Sequence, residues 1–106
     1  MNESTTYQKI FCKRLKFARL AKGLSQKKLG ILAGIDEFVA SARINRYEQG
    51  VHQAGIDVVH QLAKALDVPP AYFYTDDEDL ALLLFKWNRI GSDGRKALAE
   101  SVKSLD

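Results

Sequence analysis

The chain has 106 residues, 46% of them hydrophobic, and a formal net charge of +3 at pH 7. This length fits one domain with a modest core, and the hydrophobic fraction excludes a disordered chain. The longest apolar run, residues 80–85, is far shorter than a membrane span, and the N-terminus lacks the basic-then-apolar order of a signal peptide. We therefore expect a cytoplasmic protein. The single Cys12 cannot form an internal disulfide or a thiolate metal site.

Positive charge is concentrated in the first two thirds of the chain. Residues 1–66 hold eleven Lys and Arg against five Asp and Glu, a net +6, whereas residues 67–106 hold five basic and eight acidic residues, a net −3. A basic body with an acidic extension indicates a polyanionic partner for the first part. Chance asymmetry of a solvated surface would give the same totals, so charge alone leaves both interpretations open.

Apolar residues recur at intervals of three and four almost throughout, which predicts an all-α fold. Gly23, Gly34 and Gly50 follow the first three predicted helices, and glycine is the usual residue just past a helix end. Ser25 is the expected N-cap of the second helix. Pro70 is expected to open a short turn. The helices predicted in this part of the chain cover residues 7–21, 26–33, 41–49 and 56–66.

A helical hairpin is predicted after the proline pair. Thr75 is the expected N-cap of a fifth helix, whose acidic first turn suits the helix dipole and which runs to about Ile90. The Gly-Ser-Asp-Gly sequence at 91–94 would break it, and a last helix would cover about 95–105. The predicted division is a domain of residues 1–74, with its core at about 14–74, and an extension of residues 75–106.

Three segments stand in an order that is specific as a set: RLKFARLAKGLSQKKLGILAGI at 14–35, RINRYEQG at 43–50 and VVHQLAKALDVPPAYFY at 58–74. Together they resemble the Cro/C1-type helix-turn-helix family, the lambda-repressor-like DNA-binding domains. The resemblance implies a five-helix DNA-binding domain in a sequence-specific transcriptional regulator. We expect a repressor that occupies operator DNA with a recognition helix of about 41–49 in the major groove.

The resemblance also implies an ion pair. Residues at the positions of Arg19 and Glu48 form a largely buried pair in the family, tying the first helix to the third. We interpret the pair as structural, because a buried charge needs its partner. The alternative is a phosphate contact from Arg19. Leu29, Ile44 and Tyr47 are expected to hold the second and third helices together.

The segment between the second and third helices is a departure from the family. Gly34 and Gly50 are sixteen residues apart, about four more than is usual in the family, which is close to one helical turn of 3.6 residues. Either the third helix starts a turn earlier, at Asp36, or the turn is enlarged. The inward stripe of Ile44, Tyr47 and Val51 extends backward to Ala40 and Glu37 and misses the apolar residues 38 and 39.

We therefore expect a break before Ser41, which would be the N-cap, and an enlarged turn over residues 35–40. Phe38 and Val39 would then pack onto the core. An apolar wedge between DNA bases is the rarer alternative for Phe38. With that break, the helical period places the outward face of the third helix. The candidate base or groove contacts are Ser41, Ala42, Arg43, Asn45, Arg46 and Gln49.

Phosphate contacts are expected beside this surface. The resemblance implies a DNA-backbone contact at Gln26, and Lys27 and Lys28 adjoin it at the start of the second helix, where backbone N–H groups attract anions. A solvated surface is the alternative interpretation for every one of these residues.

No motif for catalysis, cofactor binding or metal binding is legible, so we expect no enzyme, no cofactor and no metal. The expected partner is double-stranded DNA. A protein-interaction or antitoxin-like module on the same fold is the alternative function. The predicted extension could pack back on its own domain, or it could form a homodimer seam through the last helix and Leu80, Leu83, Leu84 and Trp87.

Overall fold

The computed structural model describes residues 6–106, and all the regular structure in that range is helical. This agrees with the predicted all-α class. No helix in the described range is long and apolar enough to cross a membrane. The elements in chain order are α1 Thr6–Ala21, α2 Gln26–Leu32, α3 Ala40–Gln49, α4 Ile56–Leu66, a 3₁₀ turn Pro70–Tyr74, α5 Glu78–Phe85, a second 3₁₀ turn Trp87–Arg89, and α6 Gly91–Lys103.

One hydrophobic core joins α1 to α5. It is formed by the inward stripes of the helices and by two aromatic residues of the first 3₁₀ turn, Tyr72 and Phe73. Leu20 is exposed because Ala18 and Arg19 already occupy the inner face at that end of α1. The buried core residues are Phe11, Leu15, Ala18, Leu29, Ala33, Ile44, Tyr47, Val59, Leu62, Ala63, Leu66, Val68, Tyr72, Phe73, Ala81 and Phe85.

Helices α2 and α3 approach each other very closely. A Cβ built on Gly30 would lie 2.6 Å from the Cβ of Ala40, so the contact requires a residue without a side chain at position 30. Both residues are buried. Gly34 has a φ of 88°, which lets the chain leave α2 in a left-handed conformation that other residues rarely adopt. The close approach of α3 and the exit of the chain from α2 thus depend on two glycines with different functions.

The enlarged turn before α3 differs from the expectation. The helix begins at Ala40, and the N-cap position belongs to Val39, so the prediction of Ser41 as N-cap was wrong. Phe38 and Val39 are exposed, so their predicted packing onto the core was also wrong. The physical reason is that Ala40 is the residue buried against Gly30, and the side chains that precede it lie outside the core.

The C-terminal helices also differ from the prediction at their ends. Asp77, not Thr75, caps α5, because its carboxylate accepts the backbone N–H groups of Asp79 and Leu80 at 2.9 and 3.0 Å. Thr75 instead begins the preceding turn, where its hydroxyl accepts the Asp77 N–H.

The predicted helix break at 91–94 lies within α6, and the actual break is at residues 86–90. Contacts with other parts of the chain favour that break. The Arg95 guanidinium donates to the Trp87 carbonyl at 2.9 Å, and the Asn88 amide donates to the Asp67 side chain at 2.8 Å. These hydrogen bonds stabilise the second 3₁₀ turn. The fifth helix therefore ends at Phe85 and does not continue to Ile90.

Helix α5 packs back on the rest of the domain. The rings of Phe17 and Tyr72 lie 5.6 and 5.8 Å from the Phe85 ring, and Glu78 accepts hydrogen bonds from Lys13 and Arg14. Those hydrogen bonds hold the pKa of Glu78 below its ordinary value. The core therefore continues past residue 74. By contrast, none of the residues of α6 is buried against the described part of the chain.

Candidate nucleic-acid interface

Helix α3 has one face in the core and the other in solvent. Ala40, Ile44, Tyr47 and Glu48 are buried. Val51, which the sequence pattern added to this stripe, is exposed because Gly50 ends the helix in a left-handed conformation. The exposed residues of α3 are Ser41, Ala42, Asn45, Arg46 and Gln49. Five of the six candidate groove residues therefore share the outer face of one short helix.

Arg43, the sixth candidate, is half-buried and engaged within α3. Its guanidinium donates to the Tyr47 hydroxyl at 2.9 Å and stacks near the Tyr47 ring. It also lines a surface cleft with Asp36 and Asp57. Because its donors already have an intramolecular acceptor, Arg43 is less available to a DNA base than its neighbour Arg46.

The structure brings Arg19 and Glu48 together as a buried, two-pronged pair. The guanidinium donates from Nε at 2.6 Å and from Nη2 at 3.1 Å to the two carboxylate oxygens. The side chain of Arg19 is 10% exposed and that of Glu48 only 1%. Arg19 also donates to the Leu24 carbonyl at 2.9 Å, which fixes the end of the α1–α2 turn just before α2. The pair thus ties α1, the following turn and α3 into one unit.

Gln26 takes part in the same network. Its amide donates to the Glu48 carboxylate at 3.1 Å, a contact that sequence reasoning missed. The first residue of α2 is therefore fixed to the same buried group as α3. Lys27 and Lys28 follow it on the surface, and the Ser25 hydroxyl caps the helix by accepting the Lys28 N–H at 2.9 Å. The three residues predicted to contact phosphate are thus consecutive at the start of α2, and the first of them is hydrogen-bonded to α3.

The C-terminal end of α3 is attached to α1 by two further hydrogen bonds. The Gln8 amide donates to the Gly50 carbonyl at 2.8 Å, and the Cys12 thiol donates to the Tyr47 carbonyl at 3.2 Å. Burial raises the pKa of the Cys12 thiol, which favours the protonated donor. No sequence pattern identifies the carbonyl that the Cys12 thiol meets.

Two lysines that sequence reasoning did not select lie next to this end of α3. Lys9 and Lys16 line a shallow cleft of about 340 Å³ together with Gln49 and Gly50. Neither lysine has an ion-pair partner within residues 6–106, whereas Lys13 between them is paired with Glu78. Their spacing of seven residues, two turns on one face of α1, was the signal that could have identified them. The basic surface therefore extends from α2 past α3 to α1.

We predict that Glu48→Gln lowers the free energy of unfolding by about 3–5 kcal/mol, because it leaves the buried Arg19 charge without its counter-charge. Glu100→Gln is the matched control, since Glu100 forms an exposed pair with Lys103. We expect that change to stay within about 0.5 kcal/mol. Urea unfolding followed by circular dichroism measures both variants. Equal, small losses in the two variants would contradict the structural importance of the buried pair.

Comparison with known proteins agrees with this geometry. The sequence profile of the helix-turn-helix family matches residues 15–73, which is more than half of the chain. An uncharacterized HTH-type transcriptional regulator of Sinorhizobium fredii is 35% identical over 63 residues, covering 59% of this chain and 41% of that protein. A further such regulator, from Rhizobium meliloti, is 32% identical over the same length. The chain thus spans about two fifths of the length of these curated relatives.

A solved structure is similar over nearly the whole chain. The crystal structure of the transcriptional regulator BswR superposes with a TM-score of 0.80 at 42% sequence identity, covering 89% of this chain and 93% of that one. The match therefore includes helices beyond the region of the family profile. The profile, the relatives and the arrangement of α2 and α3 agree, and the chain belongs to the helix-turn-helix family of the Cro/C1 type.

Proposed function

We propose that this protein is a sequence-specific DNA-binding transcriptional regulator that represses by occupying an operator. The observation that carries the proposal is the outer face of α3, which presents Asn45, Arg46 and Gln49 to solvent while the opposite face is fixed in the core. The only acid of α3, Glu48, is buried and neutralised by Arg19. The outer face of α3 can therefore donate hydrogen bonds to base edges in a major groove, and it carries no negative charge that the DNA would repel. The action requires binding alone and no chemistry on the DNA.

Each exposed residue of α3 matches a known feature of base edges. The Arg46 guanidinium can donate to guanine O6 and N7, and the Asn45 amide can pair with adenine N6 and N7. Ala42 can contact a thymine methyl group, and Ser41 lies at the N-terminal tip that enters the groove first. Gln49, one turn beyond Arg46, extends the same face. Arg43 is expected to support Tyr47 and to reach phosphate rather than bases, because its guanidinium is already engaged.

Phosphate contacts are expected on both sides of α3. Lys27 and Lys28 are exposed on one side, and Gln26 lies beside them with its amide held by Glu48. Lys9 and Lys16, on α1, border the C-terminal end of α3. These side chains would fix the position of the protein on the duplex without reading its sequence.

We further propose that the protein forms a homodimer through α6. Leu83, Trp87, Leu98 and Val102 line an apolar groove of about 470 Å³ between α5 and α6, and no described residue covers it. The charges of α6 are mixed, three basic and two acidic, so a second copy would meet little net repulsion. Leu80 on α5 is also exposed, whereas Leu84 is half-buried and packs against the core. In functional terms, residues 1–74 would bind DNA and residues 75–106 would supply the seam.

We predict that Arg46→Ala weakens binding to a site selected from random duplex DNA by about 1–3 kcal/mol and has a much smaller effect on unselected DNA, because it removes a base contact. Lys96→Ala, which removes the same charge on α6, is the matched control and should change neither affinity appreciably. Fluorescence anisotropy at fixed salt measures both. Equal losses for Arg46→Ala on selected and unselected DNA would make Arg46 a phosphate contact, and no loss would place the reading surface elsewhere.

For the dimer, we predict that Leu83→Asp converts the protein to a monomer, because a carboxylate in the apolar groove would be buried without a partner. Leu82→Asp is the control, since Leu82 is an exposed neighbour on α5 that does not line this groove. Light scattering coupled to gel filtration gives the molar mass of each variant. An unchanged mass for Leu83→Asp, or a monomeric unmutated protein, would exclude this seam.

A further inference from the structure

Phe38 is the most exposed of the large hydrophobic residues in the described range, with 89% of its surface accessible. It lies two residues before the start of α3, in the enlarged turn that distinguishes this chain from the usual family spacing. An isolated surface leucine or valine needs no explanation. A phenylalanine that is almost fully exposed beside a candidate recognition helix is a different observation, because its position relative to that helix is fixed.

The backbone of this turn is held by hydrogen bonds. The Asp36 carboxylate accepts the Phe38 N–H at 2.8 Å, and the Asp36 carbonyl accepts the Val39 N–H at 3.0 Å. Immediately afterwards Ala40 is fully buried against Gly30. The Phe38 ring therefore projects from a short segment whose backbone is held on both sides of it.

Phe38 lies next to the N-terminal end of α3, whose outer face is exposed. It precedes Ala42 by four residues and Arg46 by eight, and both of these residues are exposed. Because α3 begins at Ala40, Phe38 lies two residues from the N-terminal end of the helix that carries both of them. The tip of a recognition helix is the part that enters the major groove. The ring would thus reach the groove next to the tip of α3.

The charge of the turn around Phe38 indicates which part of the DNA it would contact, the base edges of the major groove or the phosphates that line it. Asp36 and Glu37 precede Phe38 and carry negative charge, which phosphates would repel. Base edges in the major groove present thymine methyl groups, which an aromatic ring can contact. They also present cytosine amino groups, which can donate a hydrogen bond to a carboxylate. An acidic and aromatic turn is therefore suited to the base edges and poorly suited to the DNA backbone.

We propose that Phe38 reads thymine by packing its ring on the C5-methyl groups of one or two thymines beside the half-site contacted by α3. This inference rests on the proposed DNA-binding function and adds a specificity residue to it. The turn that lengthens the family spacing would then enlarge the reading surface by an apolar element, and the sequence preference would extend beyond the bases that face Ala42, Asn45 and Arg46.

The test uses a duplex site selected by the unmutated full chain, in which each thymine is replaced in turn by deoxyuridine, which lacks only the methyl group. We expect one or two replacements at the edge of the site to weaken binding by about fourfold each, the factor that burial of one methyl group gives at 25 °C. Phe38→Ala should bind the unmodified site more weakly and should lose the discrimination at those positions. Phe38→Leu should retain most of it.

Leu82→Ala is the matched control, since it also removes an exposed apolar side chain but on α5; it should keep the full deoxyuridine pattern. Identical patterns in the unmutated protein and in Phe38→Ala would overturn the inference while leaving the proposed function intact. A change of molar mass or of thermal unfolding in Phe38→Ala, with unchanged thymine discrimination, would instead indicate a protein contact and would also overturn it. If the unmutated protein bound no DNA, the proposed function would fail first.

Discussion

The Arg19–Glu48 pair is the interaction on which the rest of the site depends. Two charges taken out of water are stabilising only if they meet in good geometry and if their remaining hydrogen-bonding groups are satisfied. Here both carboxylate oxygens accept from the guanidinium, and the Leu24 carbonyl and the Gln26 amide complete the network. The pair costs desolvation, but it fixes α1, the start of α2 and α3 relative to one another. A surface that reads DNA by hydrogen bonds needs this kind of fixed support.

Close backbone packing provides the second constraint. Gly30 lets α3 approach α2 until Ala40 is in direct contact, and the left-handed Gly34 lets the chain turn away from α2. The hydrogen bonds from Gln8 and Cys12 then hold the far end of α3. Since one face of α3 is held at both ends, its other face is presented to solvent in one orientation. The exposed residues of that face, and the basic side chains around it, follow from this packing.

The sequence predicted the fold well where periodicity and glycine positions carry the information. The bounds of α4 agree with the prediction at both ends, and the pairing of Arg19 with Glu48 was available from the family resemblance. The prediction failed where a three-dimensional contact decided the outcome. Phe38 and Val39 were expected in the core because they are apolar. The residue that packs against Gly30 is Ala40, and no one-dimensional pattern contains that information.

The C-terminal part shows the same limit. The glycines at 91 and 94 indicated a helix break, but α6 contains both, because the break is set by contacts of Trp87 and Asn88 with Arg95 and Asp67. In the candidate site, the outward face of α3 followed from the helical period. The engagement of Arg43 with Tyr47 and of Gln26 with Glu48 did not, because each depends on the rotamer of a long side chain. Such contacts decide which basic residues remain available to a ligand.

The basic surface around α3 is proposed to bind duplex DNA. The most direct measurement is the affinity for random duplex DNA as a function of salt concentration. Lys and Arg contacts to phosphate release counterions, so log K should fall linearly with log salt, with a slope of about −0.9 for each phosphate contact. Several contacts from Lys27, Lys28 and their neighbours predict a slope of about −3 or steeper. A slope near zero would contradict DNA binding by this surface, because no phosphate contacts would then release counterions.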